Sequence, residues 1–194
     1  WIATRPWSRW RERKAGRTEG AGSAIRRSIL PARLPGVFSP EEKAMLIVDS
    51  QIHVWKNGRM IAHHRQDPTY SYEDALAEMN AAGVDCAVIH PPGSIGEHMN
   101  AYAIEAVEHH PDRFCILGNF NLQSPDREHI VAHWRERSPG MLGFRFSFNE
   151  PHQKSWLTDG TLDWFWKACE RQDLRVGLLV SGPTIPALGK IAPR

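Results

Sequence analysis

The chain is poor in the features that mark several large protein classes. Among 194 residues there are three cysteines, Cys86, Cys115 and Cys169, and no CxxC pair. An odd count without paired spacing argues against a disulfide framework or a cysteine-rich metal knot. Buried free thiols are the expectation, and with them a reducing, cytoplasmic location. No apolar run approaches the ~18 residues of a membrane span, so no membrane partner is expected. No charged-then-apolar start resembles a secretory signal. Gly182, Gly189 and Lys190 suggest a phosphate-binding loop, but the glycines are too far apart and no Ser or Thr follows the lysine.

Charge is nearly balanced at +2, and it is unevenly placed. Residues 1–44 carry ten Arg or Lys against four Glu, a net +6, leaving −4 for the rest. This stretch contains no Met, has no clear periodicity, and is rich in Arg, Gly, Ser and Pro. It reads as a basic, disordered tail or translated upstream sequence. A nucleic-acid arm and an Arg-rich transit peptide are the functional rivals. The basicity belongs to the tail, so no nucleic-acid partner is expected for the body. Hydrophobic content of 41% and charged content of 24% allow a packed core in one domain from residue 45 onward.

That body alternates strands and helices. Leu46–Val48 is a short apolar run that ends in Asp49-Ser50-Gln51-Ile52-His53. It reads as a buried parallel strand delivering polar groups at its carboxyl end. Side chains alternate along a strand, so Gln51 and His53 point the same way. Lys56–Thr69 is a long connection holding Asn57-Gly58, His63-His64 and Asp67-Pro68. Loops of this length are often lids, and the two histidines are either ligand contacts or a solvated pair.

Ser71 and Asp74 form a capping-box variant opening a helix. Ala75, Leu76, Met79 and Ala82 are its buried face, and Gly83 suits a left-handed end. Strand two runs from Val84 to His90, where His90 either caps the strand or forms a site wall. Gly93-Ser94-Ile95-Gly96 is a weak phosphate-cradle signal. The next helix buries Met99, Tyr102, Ala103, Ala106 and Val107, with His109 and His110 on its surface in the last turn before Pro111.

Strand three is Phe114–Gly118, leading to Asn119 and Asn121. Ser124 and Pro125 then suit an N-cap and first helical residue, ahead of an Ile130, Val131, Trp134 stripe. Strand four, Met141–Phe148, separates Phe144, Phe146 and Phe148 on one face from Gly143, Arg145 and Ser147 on the other. Thr161 caps a helix carrying Leu162, Phe165, Trp166 and Cys169. Strand five is Leu174–Val180, and Pro183–Ile191 is a last helix.

These strands begin near residues 46, 84, 114, 141 and 174, one βα unit every 27–38 residues. That spacing fits an α/β fold of TIM-barrel-like (β/α) repeats, in which eight units occupy about 250 residues. Five of eight units are then present, an incomplete barrel with two open edges. A complete five-stranded doubly wound sheet fits the element count equally well.

The stretch Asp49-Ser50-Gln51-Ile52-His53 resembles the opening strand of the metal-dependent amidohydrolases, in their amidohydrolase-2 branch of TIM-barrel hydrolases and decarboxylases. That family opens with Asp-x-His-x-His. His53 matches the second histidine, and Gln51 replaces the first. The resemblance continues in spacing and texture to Arg194. It implies a barrel, a small-molecule substrate and, in complete members, one divalent zinc-like metal. His53 is the one matching ligand, so tight metal binding by this chain is not expected. Leu178, Leu179 and Val180 stand where a strand-five histidine would be, and the sixth and eighth strands are not present.

Some members look metal-independent and bind carboxylated substrates through arginine. Gln51 with Arg145 fits that type. The expected site is His53 as the catalytic group, with Gln51, His90, Asn119, Asn121, Arg145 and Ser147 lining a substrate site for a small carboxylated lactone, ester or amide. Arg145 is either a carboxylate clamp or half of a structural ion pair. The alternatives are a non-oxidative decarboxylase on the same scaffold and a truncated chain without activity. A homo-oligomer is compatible with the open edges.

Overall fold

The structure is a computed structural model that describes residues 45–58, 62, 66–93, 98–180, 182–189 and 191. The expectations for residues 1–44, for His63 and His64, and for Ser94–Gly96 lie outside the described residues.

Five strands form one parallel sheet: β1 (Val48–Ile52), β2 (Cys86–Ile89), β3 (Phe114–Gly118), β4 (Met141–Ser147) and β5 (Arg175–Leu179). Their order in the sheet is their order in the chain. A doubly wound sheet reverses direction at a switch point. This sheet never does, so the barrel-type reading stands and the doubly wound alternative falls. Successive right-handed crossovers that always advance in one direction are what curl a sheet into a barrel. Among the described residues the outer edges of β1 and β5 carry no ladder.

The connecting helices are α1 (Tyr72–Ala82), α2 (Met99–His109), α3 (Arg127–Ala132), α4 (Pro151–Lys154), α5 (Asp163–Arg171) and α6 (Ile185–Leu188). α1 starts as its sequence dictates. The Ser71 hydroxyl accepts from the Asp74 amide, and Asp74 accepts from the Ser71 amide. It ends at Gly83, whose φ of 72° is left-handed and favours glycine. Ala75 and Met79 are buried as expected, but Ala82 is exposed in the final turn.

Other boundaries differ from the sequence expectation. α3 begins at Arg127, because Ser124 closes a separate turn through Arg127 N–H to the Ser124 carbonyl. Thr161 does not cap α5. Its amide donates to Asp159 Oδ1 in a turn, and Leu162 occupies the cap position. The expected last helix is a 3₁₀ turn, Gly182–Thr184, followed by the single turn of α6. Pro186 near the start of that turn supplies no amide for a longer register. α4 and the 3₁₀ turns at Trp134–Arg137 and Ser155–Leu157 were not foreseen.

The main core lies between the sheet and its helices. Ala87, Ile89, Phe114, Ile116, Met141 and Phe144 come from the strands, and Ala103, Val107, Val131, Trp134 and Phe165 from the helical layer. The Trp134 and Phe144 rings pack at a tilt with centroids 4.3 Å apart, and Phe165 lies 5.4 Å from Phe144. The Trp134 indole N–H, fully buried, donates to the Gly143 carbonyl at 2.9 Å. A satisfied donor lets a tryptophan contribute its full apolar area to the core.

Cys86, Val88 and Cys115 are buried on the opposite, hollow side of the sheet. All three cysteines are buried thiols outside any disulfide. Leu117 on β3 reaches toward Gly177 on β5, where a Cβ would lie 3.2 Å from its Cδ1. Contact across an intervening strand, over Gly143 with no side chain, shows how sharply this face is concave.

Candidate functional site

Two bulges decide what faces the hollow. Val48 pairs with Cys86 and Asp49 with Ala87, but Ile52 pairs with Ile89, so β1 holds one extra residue. The extra residue shifts the alternation, sending Ile52 to the core side and Gln51 and His53 to the hollow. A second bulge between Ile116 and Leu117 of the β3–β4 ladder sets Met141 and Phe144 both toward the helices. It leaves Gly143 and Arg145 on the hollow side, with Arg145 opposite Gly177.

His53 follows the last residue of β1, and His90 follows the last residue of β2. Their rings meet edge to face with centroids 6.4 Å apart. His53 Nδ1 lies 2.6 Å from the His90 carbonyl oxygen. A carbonyl can only accept, so Nδ1 carries a proton, and whenever the ring is neutral its Nε2 is the unprotonated nitrogen. Gln51 Nε2 stands 3.5 Å from that Nε2, an amide donor toward a lone pair.

His90 is 5% exposed, and among the described residues neither ring nitrogen has a partner at hydrogen-bond geometry. Burial is the largest cause pushing its pKa down, to about 4, followed by the positive charges of Arg145 and His53. The Ser50 backbone and Asp49 oppose this but do not prevail. His90 is therefore neutral at physiological pH. Arg145 is half-buried on the same side of the sheet, and its own pKa is lowered by burial. Among the described residues it has no carboxylate partner, so the structural ion pair considered for it is not made there.

The remaining expected residues are placed differently. Asn119 follows β3, and its amide nitrogen donates to the Pro91 carbonyl at 3.0 Å. Asn121 is exposed, and its side-chain oxygen accepts from the Gln123 amide at 3.0 Å, closing a turn. Ser147 is exposed at the end of β4. The structure thus gathers Gln51, His53 and His90, sets Arg145 beside them, and attaches Asn119 through the backbone.

Asn100 is the residue that sequence reasoning missed. It is 2% exposed on the buried face of α2. Its amide nitrogen donates to the Asn119 carbonyl at 2.6 Å, and its oxygen accepts from the Asn119 amide at 3.1 Å. The signal was available: Asn100 shares helical spacing with Ala103 and Val107, so a polar group sat in an apolar stripe. Gly118 makes room for it, since a Cβ there would come within 2.6 Å of Asn100 Oδ1 and 2.7 Å of Trp134.

Among the described residues no three His, Cys, Asp or Glu side chains stand close enough to share an ion. A catalytic metal takes about three protein ligands. The donor set present, one imidazole beside an amide, does not fit that requirement. Cys115 and Cys169 are poor substitute nucleophiles, because burial pushes each thiol up to about 12.

Comparison with solved structures gives two partial likenesses. One is a probable 2-pyrone-4,6-dicarboxylic acid hydrolase from Acinetobacter baumannii, with citric acid bound. It is 16% identical over 69% of this chain and 49% of its own, with a TM-score of 0.49. The other is an Agrobacterium tumefaciens protein in an apo structure. It is 19% identical over 75% of this chain and 53% of its own, with a TM-score of 0.50. The second shares the fold with this chain, which spans about half the length of both. A search of the curated proteins gives no match. The family model described as Amidohydrolase matches residues 48–194, from the first strand to the last residue. With parallel strands in chain order and polar groups at their carboxyl ends, the chain belongs to that amidohydrolase family.

Proposed function

We propose that the hollow binds a small carboxylated molecule and that the site is built for hydrolysis of a lactone, ester or amide bond. The supporting observation is Arg145, half-buried, facing the hollow and without an anionic partner among the described residues. An unpaired guanidinium in a partly desolvated site favours a planar anion, and a carboxylate meets its fork with two hydrogen bonds.

The chemistry follows from His53, whose Nδ1 is held at the His90 carbonyl. His53 Nε2, unprotonated while Nδ1–H is held by the His90 carbonyl, takes a proton from a water molecule. The water oxygen bonds to the acyl carbon, and charge develops on the carbonyl oxygen. The acyl–oxygen or acyl–nitrogen bond then breaks, and the proton on His53 passes to the leaving group. Water is the only co-reactant, and the products are a carboxylic acid and an alcohol or amine. Among the described residues no three His, Cys, Asp or Glu side chains assemble a metal site, and the steps above run through this chain's own groups.

The test pairs a carboxylated lactone with its methyl ester, first in equilibrium binding and then in turnover. The free carboxylate is expected to bind about 10–100-fold more tightly, with Arg145→Ala abolishing the preference. Equal binding of the two by the unaltered chain would refute the reading. Release of carbon dioxide in place of ring opening would reassign the scaffold to decarboxylation.

A further inference from the structure

Asn119 was expected to line the substrate site, yet its amide is already held inside the protein. Following its contacts leads back to His53. The Asn119 Nδ2–H donates to the Pro91 carbonyl. Pro91 is joined to His90, whose amide donates to the Ile52 carbonyl at 2.8 Å. The His90 carbonyl between these two anchors is the acceptor of the His53 Nδ1–H. Proline adds stiffness at this point, because its ring fixes φ. Asn119 itself is clamped through its backbone amide and carbonyl by the buried Asn100 side chain.

We infer that Asn119, seated by Asn100, is a positioning residue that selects the tautomer of His53. The relay runs from α2 through the β3 loop to the β2 loop, and ends on one imidazole nitrogen. Each link is a hydrogen bond to a main-chain carbonyl or amide, so each fixes backbone rather than touching a ligand. The consequence is chemical. A neutral imidazole can carry its proton on either nitrogen, and a fixed acceptor at Nδ1 leaves Nε2 as the base. If the His90–Pro91 segment turned away, the proton could move to Nε2 and the site would lose its acceptor. Gly118 belongs to the same device, since any side chain there would strike Asn100.

The inference extends the reading of His53 as the site's base, but its test does not need activity. Ring-nitrogen NMR of histidine-labelled protein at about pH 8 reports the His53 tautomer directly. The unaltered chain is expected to hold the Nδ1–H form. Asn119→Ala is expected to lower the ratio of Nδ1–H to Nε2–H by roughly two- to tenfold, the worth of one net hydrogen bond. Asn119→Asp, the same size but without the amide donor, is expected to do the same. Both keep the backbone of residue 119, which is what Asn100 grips, so the loop stays seated. Ser124→Ala loosens a turn in the same loop without reaching Pro91 and is expected to leave the ratio unchanged.

Three results would overturn the inference: an Nε2–H tautomer in the unaltered chain, an unchanged ratio in both Asn119 variants, or an equal change in Ser124→Ala. Loss of turnover with the tautomer intact would count against the hydrolase reading alone.

Discussion

His90 places a specific demand on stability against pH. Its folded pKa is depressed from 6.5 to about 4, first by burial and then by Arg145 and His53. A base whose folded value is lowered binds its proton more readily in the unfolded state. Above 6.5 both states are neutral and His90 contributes nothing. As pH falls from 6.5 toward 4, the unfolded state takes up the proton first and stability is lost. Each pH unit in that window is worth about 1.36 kcal/mol, so at about pH 5 the loss approaches 2 kcal/mol as an upper bound.

Replacing His90 with leucine removes both this proton and two ring nitrogens that have no partner among the described residues. The leucine variant should be more stable than the unaltered chain by about 1 kcal/mol at pH about 7.5, since an orphaned buried polar group costs about 1–3 kcal/mol. The gap should widen by about 1–2 kcal/mol at about pH 5. Urea unfolding of both proteins at the two pH values measures it, and the remaining histidines cancel in the difference. A gap that stays constant with pH would show that His90 is not buried uncharged in the folded chain. A leucine variant that is the less stable at both pH values would show that its ring nitrogens are satisfied.

Two further perturbations test the frame. Gly118→Ala should cost about 1–3 kcal/mol in denaturant unfolding, because the added methyl meets Asn100 and Trp134 at under 3 Å. Ser71→Ala removes the hydroxyl half of the α1 capping box and should cost about 1 kcal/mol, read from the unfolding midpoint at unchanged m-value.

Much of the frame was legible because it depends on local rules. Ser71, Asp74 and Gly83 carry their capping roles in their own chemistry, and α1 starts and stops where they stand. The alternation of Phe144, Phe146 and Phe148 against Gly143, Arg145 and Ser147 assigned the faces of β4 correctly. The boundaries of α3 and α5 were misplaced, because Ser124 and Asp159 close turns one step before their helices, and each such turn looks like a cap in sequence.

By itself the sequence determined the alternation of strands and helices, the apolar faces, and the arrival of Gln51, His53, His90 and Arg145 at strand ends. Those follow from neighbours along the chain. Tertiary structure alone decided the strand order, and so chose the barrel-type sheet over the doubly wound one. It also decided the bulge that turns His53 to the hollow, the orphaned ring of His90 and the grip of Asn100 on Asn119. Each of these joins residues from separate strands or helices, and periodicity within one segment holds no record of where another segment will lie.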